Sequence, residues 1–218
     1  MLKLISRLLV PSCCVLCNDE GSGLCNACSG GLEKHQNACY LCNAITSDGQ
    51  VCSSCQWRTR VRRATILWNY QGQVEGVVQG LKYEGREDIA SVLARKLSLA
   101  ELPYYDLITF VPDTSSRRRE RGYVAPQLIA RELSRISRKP YVELLSRTVH
   151  TPQVGAGREA RWRQVKGNFS TKHSALLEDK RILLIDDVVT TGATVTECAR
   201  VLKLAGSGPV FVAAVAKR

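Results

Sequence analysis

Long apolar runs are missing from this chain. No stretch approaches the roughly 20 residues that a membrane helix needs, so a spanning helix is excluded. Low-complexity tracts are missing too, as is any internal repeat apart from a cysteine spacing. Histidine is scarce: His35, His150 and His173 sit outside any triad or metal-ligand spacing, so each is read as structural or surface. Acidic residues are few beside basic ones, 20 against 31, giving a formal net charge of +11. The N-terminus lacks the long apolar core of a secretion signal. Its short apolar stretch is broken by Arg7, and Pro11 stands where a cleavage site before Cys13 prefers a small or branched residue. Met1 to Cys13 is therefore read as a short amphipathic helix packed on a domain.

What is present divides in two. The 218 residues suit one moderate domain plus a small one, and the 44% apolar content supports a core. Residues 1–57 are nearly neutral, with Lys3, Arg7 and Lys34 against Asp19, Glu20, Glu33 and Asp48, so the positive charge lies in residues 58–218. A basic domain expects an anionic partner, either a polyphosphate small molecule or nucleic acid.

Nine of the ten cysteines lie within the first 55 residues, and eight form the pairs Cys14/Cys17, Cys25/Cys28, Cys39/Cys42 and Cys52/Cys55. Two cysteines at this spacing make a poor disulfide outside redox folds but a good metal chelate, which points to a reducing compartment, the cytoplasm. Two such turns complete the tetrahedral site that Zn2+ prefers. Joining neighbouring pairs is the simplest assignment, and an interleaved one satisfies the chemistry equally. Iron–sulfur proteins space their ligands differently, and a redox centre needs one pair rather than four. No open coordination position is implied, so the expected ions, two by ligand count, are structural. Cys13 and Cys198 are not read as ligands. Around these pairs the chain is rich in Gly, Asn and Ser, too poor in apolar residues to fold without a metal.

From Ala64 onward the signals alternate. Strands are predicted at Ile66–Tyr70, Leu107–Val111, Arg181–Ile185 and Val210–Val215, and helices at Ile89–Leu99, Gln127–Ile136 and Thr194–Ala205. Short apolar runs alternating with helices argue for an α/β fold, a parallel sheet covered on both faces.

The segment Ile182–Thr194 carries the most chemistry. An apolar strand leads into Asp186 and Asp187, a turn follows through Val189, Thr190, Thr191 and Gly192, and Ala193 and Thr194 open a helix. A helix N-terminus with free N–H groups is a ready anion site, and threonine hydroxyls add donors. The two carboxylates would repel a phosphate; they suit ribose hydroxyls, with Mg2+ nearby. Four apolar residues, two acids and a Thr-Thr-Gly turn closely resemble the phosphoribosyl-pyrophosphate (PRPP) signature of type I phosphoribosyltransferases.

Further segments narrow the likeness: Leu81–Arg86 (LKYEGR), Val111-Pro112, Arg117–Gly122 (RRRERG), Thr151-Pro-Gln153 with Gly155, and Val165–Phe169 (VKGNF). In this order they resemble the ComF family, competence-associated and GntX-like proteins with a cysteine-rich N-terminus before a phosphoribosyltransferase domain. The resemblance covers nearly the whole chain. It implies a double zinc ribbon in residues 1–57 and a phosphoribosyltransferase-like domain in 58–218. It also implies that Asp186 and Asp187 contact ribose, that Val189–Thr194 cradle the 5′-phosphate, and that Lys82 meets pyrophosphate. The family's aromatic-Asn-Gln run after Arg-Gly is replaced here by Tyr123-Val124-Ala125, and Asp113–Ser116 lacks the His and Pro often found there.

Two functions follow. The first is transfer of the phosphoribosyl group from PRPP to an acceptor, with a hood from about Ser146 to Phe169. The second is a single-stranded DNA-binding accessory role beside DNA-uptake or recombination proteins, with the PRPP site kept as a sensor or a relic. Its basis is Arg58–Arg63, Arg117–Arg121 and Arg158–Arg163 around Trp162.

Overall fold

The computed structural model describes residues 12–84, 86–148 and 158–218. The N-terminal helix expectation, His150, the Thr151–Gly155 motif and Gly85 lie outside these residues. Among the described residues no helix is long and apolar enough to cross a membrane.

Four parallel strands form the central sheet in the order β1 (Val61–Asn69), β6 (Val210–Lys217), β5 (Ile182–Val189), β2 (Leu107–Phe110). β5 is apolar at successive positions because both its faces are covered. Leu183 and Ile185 join one core cluster, while Ile182 and Leu184 join the other.

Helices α2 (Gln73–Tyr83), α3 (Asp88–Leu99) and α5 (Ala125–Ser137) fill the first face. The helical spacing of Ile89, Leu93 and Leu97 on α3, all fully buried, makes that stripe. Each such side chain contributes about 1.5–3 kcal/mol by leaving water. On the other face lies α7 (Ala193–Leu204), with Val195, Cys198, Ala199 and Leu202 turned inward. Outside the sheet, α6 (Arg158–Val165) precedes β4 (Phe169–Thr171), which pairs antiparallel with β3 (Leu145–Arg147). These elements occupy the stretch expected to supply a hood.

The cysteine-rich segment holds a short helix, α1 (Asn26–Gly30), and a 3-10 turn at Ser53–Arg58. Its buried residues divide between the two cores: Cys14, Leu24 and Leu32 join the α2/α3 side, and Cys39, Tyr40, Leu41, Val51 and Cys55 the α7 side. Gly80 on α2 permits the first contact, since a Cβ there would stand 2.9 Å from Val15 Cγ2. Arg86, from the LKYEGR motif, pairs with Asp88 at 3.1 Å and donates to the Cys13 carbonyl, holding the first half of the segment to the start of α3.

The expected elements are present, with two differences. β5 does not stop before the acids but runs through Asp186 and Asp187 to Val189, because β6 continues beside it to Lys217. The other difference is a set of additions: α1, α2, α6 and the β3–β4 pair have no counterpart among the predicted elements. A second short helix, α4 (Ser115–Arg121), lies between Thr114, whose hydroxyl accepts from the Arg117 N–H at 3.4 Å, and Gly122 in the left-handed region.

Candidate functional site

The eight paired cysteines collect in two groups, Cys14/Cys17/Cys25/Cys28 and Cys39/Cys42/Cys52/Cys55, with the sulfurs of each group within 4.8 Å of one another. Adjacent pairs therefore share a site, and the interleaved assignment is set aside. Cys13 and Cys198 belong to neither group. The first pair of each group closes a tight turn, in which Asn18 N–H donates to the Cys14 carbonyl and Asn43 N–H to the Cys39 carbonyl, at 2.9 and 2.8 Å. Both asparagines adopt positive φ, the left-handed conformation asparagine tolerates.

Burial works to raise the Cys14 thiol, but the N–H groups of Cys25, Cys17 and Leu16 bring it down to about 6. Cys39 is brought to about 7 against its burial by the Cys52, Leu41 and Cys42 amides, while burial and neighbouring thiols push Cys55 up to about 12. Four sulfurs at Zn–S distances of about 2.3 Å define a tetrahedron with edges of about 3.8 Å. Cys17–Cys25 and Cys42–Cys52 sulfur separations of 3.8 and 3.5 Å match that edge. Either group could hold zinc.

A second site lies at the carboxyl ends of β2 and β5, the place where ligands bind in open parallel sheets. A cavity of about 180 Å³ is lined there by Lys82, Asp186, Asp187, Thr194, Arg121 and Arg147. Lys82, at the end of α2, places its Nζ 2.8 Å from Asp187 Oδ1. Burial opposes the ammonium, yet Asp187 and Asp186 outweigh it and raise its pKa above the ordinary lysine value. Asp186 is buried, and burial followed by the charge of Asp187 lifts it to about 8. The Asp187 N–H donates to Asp186 Oδ1 at 2.9 Å, and the Val188 N–H to Asp187 Oδ1 at 2.6 Å, which fixes both carboxylates.

The loop beyond β5 carries the other expected residues. Gly192 caps α7 at φ 78, and the Ala193 N–H lies 3.4 Å from Thr191 Oγ1. Val189, Thr190, Gly192 and Thr194 surround a small hollow that also touches Asp186. The Thr190 carbonyl accepts from Lys217 Nζ at 2.8 Å.

Several site residues escape the sequence reading. Asp113, three residues past the end of β2, pairs with Arg121 at 3.2 Å and Arg117 at 3.7 Å. Positions 113, 117 and 121 are four apart, a spacing that could have signalled one helical face. The basic stretch thus splits: Arg121 is 11% exposed and enters the cavity, while Arg118 and Arg119 face solvent. Tyr123 donates its hydroxyl to the Leu81 carbonyl at 2.6 Å, tying the helix end that carries Lys82. Arg147 on β3 stacks its guanidinium 5.4 Å from the Phe169 ring centroid, and burial lowers its pKa. No local signal marks it. Val124 and Pro126 also line the cavity, so the departure at Tyr123-Val124-Ala125 makes that wall apolar.

Other expectations resolve as structure. The Gly167 N–H of the VKGNF segment donates to Glu197 on α7 at 2.9 Å, and Glu197 also takes two bonds from Arg200. His35 Nδ1 meets Asn69 Oδ1 at 2.8 Å, and Cys198 is buried beneath the sheet's α7 face. Trp162 packs partly buried against the core.

No protein-family model matches the chain. It is 29% identical over 223 residues to "DNA utilization protein YhgH" of Escherichia coli (strain K12), covering 94% of this chain and 96% of that protein. It is 27% identical over 198 residues to "Competence protein ComFC" of Bacillus subtilis (strain 168), covering 82% of this chain and 77% of that protein. Among solved structures, glutamine PRPP amidotransferase from B. subtilis aligns with a TM-score of 0.44 and 20% identity, over 63% of this chain and 30% of that one. Matched along most of its length by both relatives and carrying two four-cysteine groups, the chain is similar to proteins named for DNA utilization and competence, in line with the resemblance that its motifs carry.

Proposed function

We propose that the cavity at the ends of β2 and β5 binds PRPP and transfers its phosphoribosyl group to a nitrogen acceptor. The observation that carries this reading is the meeting of Asp186, Asp187 and Lys82 beside the N-terminus of α7. The 5′-phosphate would take the backbone N–H groups and hydroxyls of Val189–Thr194. The ribose hydroxyls would donate to Asp187 and, once ionised, to Asp186. Lys82, drawn off Asp187 by the incoming anion, would face the pyrophosphate together with Arg121 and Arg147.

In the reaction the acceptor nitrogen forms a bond to the anomeric carbon. The carbon–oxygen bond to pyrophosphate breaks with its electron pair on the leaving oxygen. Positioning and charge balance are then the protein's whole contribution. Mg2+ would arrive on the substrate's phosphate oxygens and neutralise them, as this ion commonly does. Zn2+ in the two four-cysteine groups would be structural, residues 12–57 acting as a ribbon module on a domain that follows.

Calorimetric titration with PRPP and MgCl2 tests the reading. The wild type should bind. Asp186→Asn with Asp187→Asn should weaken affinity at least about tenfold, because bonds from hydroxyls to charged acceptors are each worth about 1.5–3 kcal/mol. Retained affinity in the double variant, or no binding by the wild type, would remove it.

One surface favours a second role, binding of single-stranded DNA, in keeping with the relatives' names. Trp57 is 79% exposed, and the Arg58 guanidinium lies 5.9 Å from the ring centroids of both Trp57 and Trp162. Arg60 and Arg62 continue this surface into a groove of about 750 Å³ that also includes Lys203. An exposed aromatic among arginines suits a stacked base and a phosphate track, each base worth about 1–3 kcal/mol. Binding should fall steeply with salt, and Trp57→Ala with Arg58→Ala should weaken it about tenfold or more. Fluorescence anisotropy with a labelled oligonucleotide measures both; no binding at low salt would end this reading.

A further inference from the structure

The second four-cysteine group does not stand apart from the loop after β5. Between its first two ligands, Cys39 and Cys42, the chain carries Tyr40 and Leu41, which are 1% and 3% exposed. The Tyr40 hydroxyl shares hydrogen bonds of 2.6 Å with Thr59 Oγ1 and with Thr196 Oγ1. Thr59 is itself held by the Val61 N–H at 3.1 Å, at the start of β1. Thr196 lies in the first turn of α7, where its N–H donates to the Gly192 carbonyl at 3.0 Å. The ring edge of Tyr40 also lies against Gly192: a Cβ on that glycine would be 2.6 Å from Tyr40 Cε2 and 3.0 Å from Leu41 Cδ2. One side chain thus fixes both the loop glycine and the helix turn that follows it, and ties them to the edge strand of the sheet.

We infer that Tyr40 is a positioning residue for the phosphate loop, contributed to the sugar-phosphate site by the Cys39–Cys42 turn. This rests on the PRPP reading above. Tyr40 lines neither the cavity nor the hollow at the loop. It sets where the N–H groups of residues 190–194 point, and an anion held by several N–H groups at once is sensitive to small changes in their direction. The aromatic ring excludes water beneath the loop, and the hydroxyl gives Thr196 a partner inside the core. Loss of the hydroxyl should therefore loosen the loop without removing any group that contacts the ligand. The effect should be confined to the 5′-phosphate end. The other end of the site rests on Lys82, Arg121 and Arg147, carried by elements that Tyr40 does not hold.

Tyr40→Phe keeps the ring and removes the two hydrogen bonds. Ribose 5-phosphate, PRPP with MgCl2, and pyrophosphate with MgCl2 serve as probes in calorimetry. The expected result is an approximately tenfold loss of affinity for ribose 5-phosphate and PRPP with pyrophosphate unchanged. A general weakening of the fold would reduce all three alike, and that outcome, or unchanged ribose 5-phosphate affinity, overturns the inference. If the wild type binds none of the probes, the PRPP reading itself fails. Amide hydrogen exchange, which needs no ligand, then decides whether Tyr40 holds the loop. Residues 190–196 should exchange about tenfold faster in Tyr40→Phe with the rest of the sheet unaltered. Unchanged exchange there removes the positioning role as well.

Discussion

Stripping metal from the protein with a strong chelator is expected to unfold residues 12–57 and to lower the midpoint of thermal unfolding by at least about 10 °C. The segment has little regular structure of its own: one short helix, one 3-10 turn and isolated bridges such as Cys13–Glu20 and Ala38–Ile45. Its eight paired sulfurs gather in two groups, each within 4.8 Å, that a metal ion would hold together. Structural zinc contributes on the order of 10–16 kcal/mol in small modules, against a net stability of about 5–15 kcal/mol for a whole domain. The damage should not stop at the segment. Leu24 and Leu32 are part of the α2/α3 core, and Tyr40, Leu41 and Val51 part of the α7 core, so unfolding uncovers both faces of the sheet. For a chain of this size each kcal/mol moves the midpoint by about 2–4 °C, so even a part of the metal's contribution is visible. Metal content, titration of the eight grouped thiols, and a thermal scan are measured together. Eight reactive thiols with an unshifted midpoint would show that the segment is held by packing instead. Cys17→Ser and Cys42→Ser separate the groups: the first should loosen the α2/α3 side, the second the loop at Gly192.

The sheet is readable because its strands are short apolar runs bounded by turns, as in Leu107–Phe110 and Ile182–Ile185. The end of β5 is not readable. Two adjacent carboxylates argue against a strand, but the ladder to β6 continues past them, with Asp186 in register with Ala214 and Val188 with Ala216. α2 is hidden by Gly76 and Gly80, which weaken a helical signal. Gly80 is there for close contact with Val15, a tertiary demand that no local pattern expresses. The acid pair and the threonine turn stand out because two acids followed by three threonines around a glycine exceed what a helix cap asks for, whereas Lys82 enters only through the family resemblance. Asp113 and Arg147 do not stand out, since one follows a different strand and the other arrives from the β3–β4 pair. Ligand pairing among the cysteines cannot follow from spacing, because both assignments satisfy a tetrahedral ion; the chain path between the pairs decides it.

Gly192→Ala is expected to destabilise the protein by about 2–5 kcal/mol, read as the shift in a urea unfolding curve. Two separate costs make up this figure. At φ 78 the residue occupies the left-handed region, which charges an alanine about 1–2 kcal/mol through its Cβ. The new methyl would also stand 2.6 Å from Tyr40 Cε2 and 2.8 Å from Cδ2, closer than such atoms come without displacement. Overpacking of this kind costs typically about 1–3 kcal/mol. The ring cannot simply turn aside, because its hydroxyl is fixed by Thr59 and Thr196. A double-mutant cycle divides the two costs. Tyr40→Leu removes the ring edge that the methyl would strike and leaves the backbone demand untouched. In that background the cost of Gly192→Ala should fall to about 1–2 kcal/mol, a coupling of about 1–3 kcal/mol between the two positions. Equal costs in both backgrounds would mean that backbone conformation alone requires the glycine. A clear coupling would mean that the cysteine-rich segment and the loop after β5 share one packed contact, and that a residue between two grouped cysteines dictates the glycine of the loop.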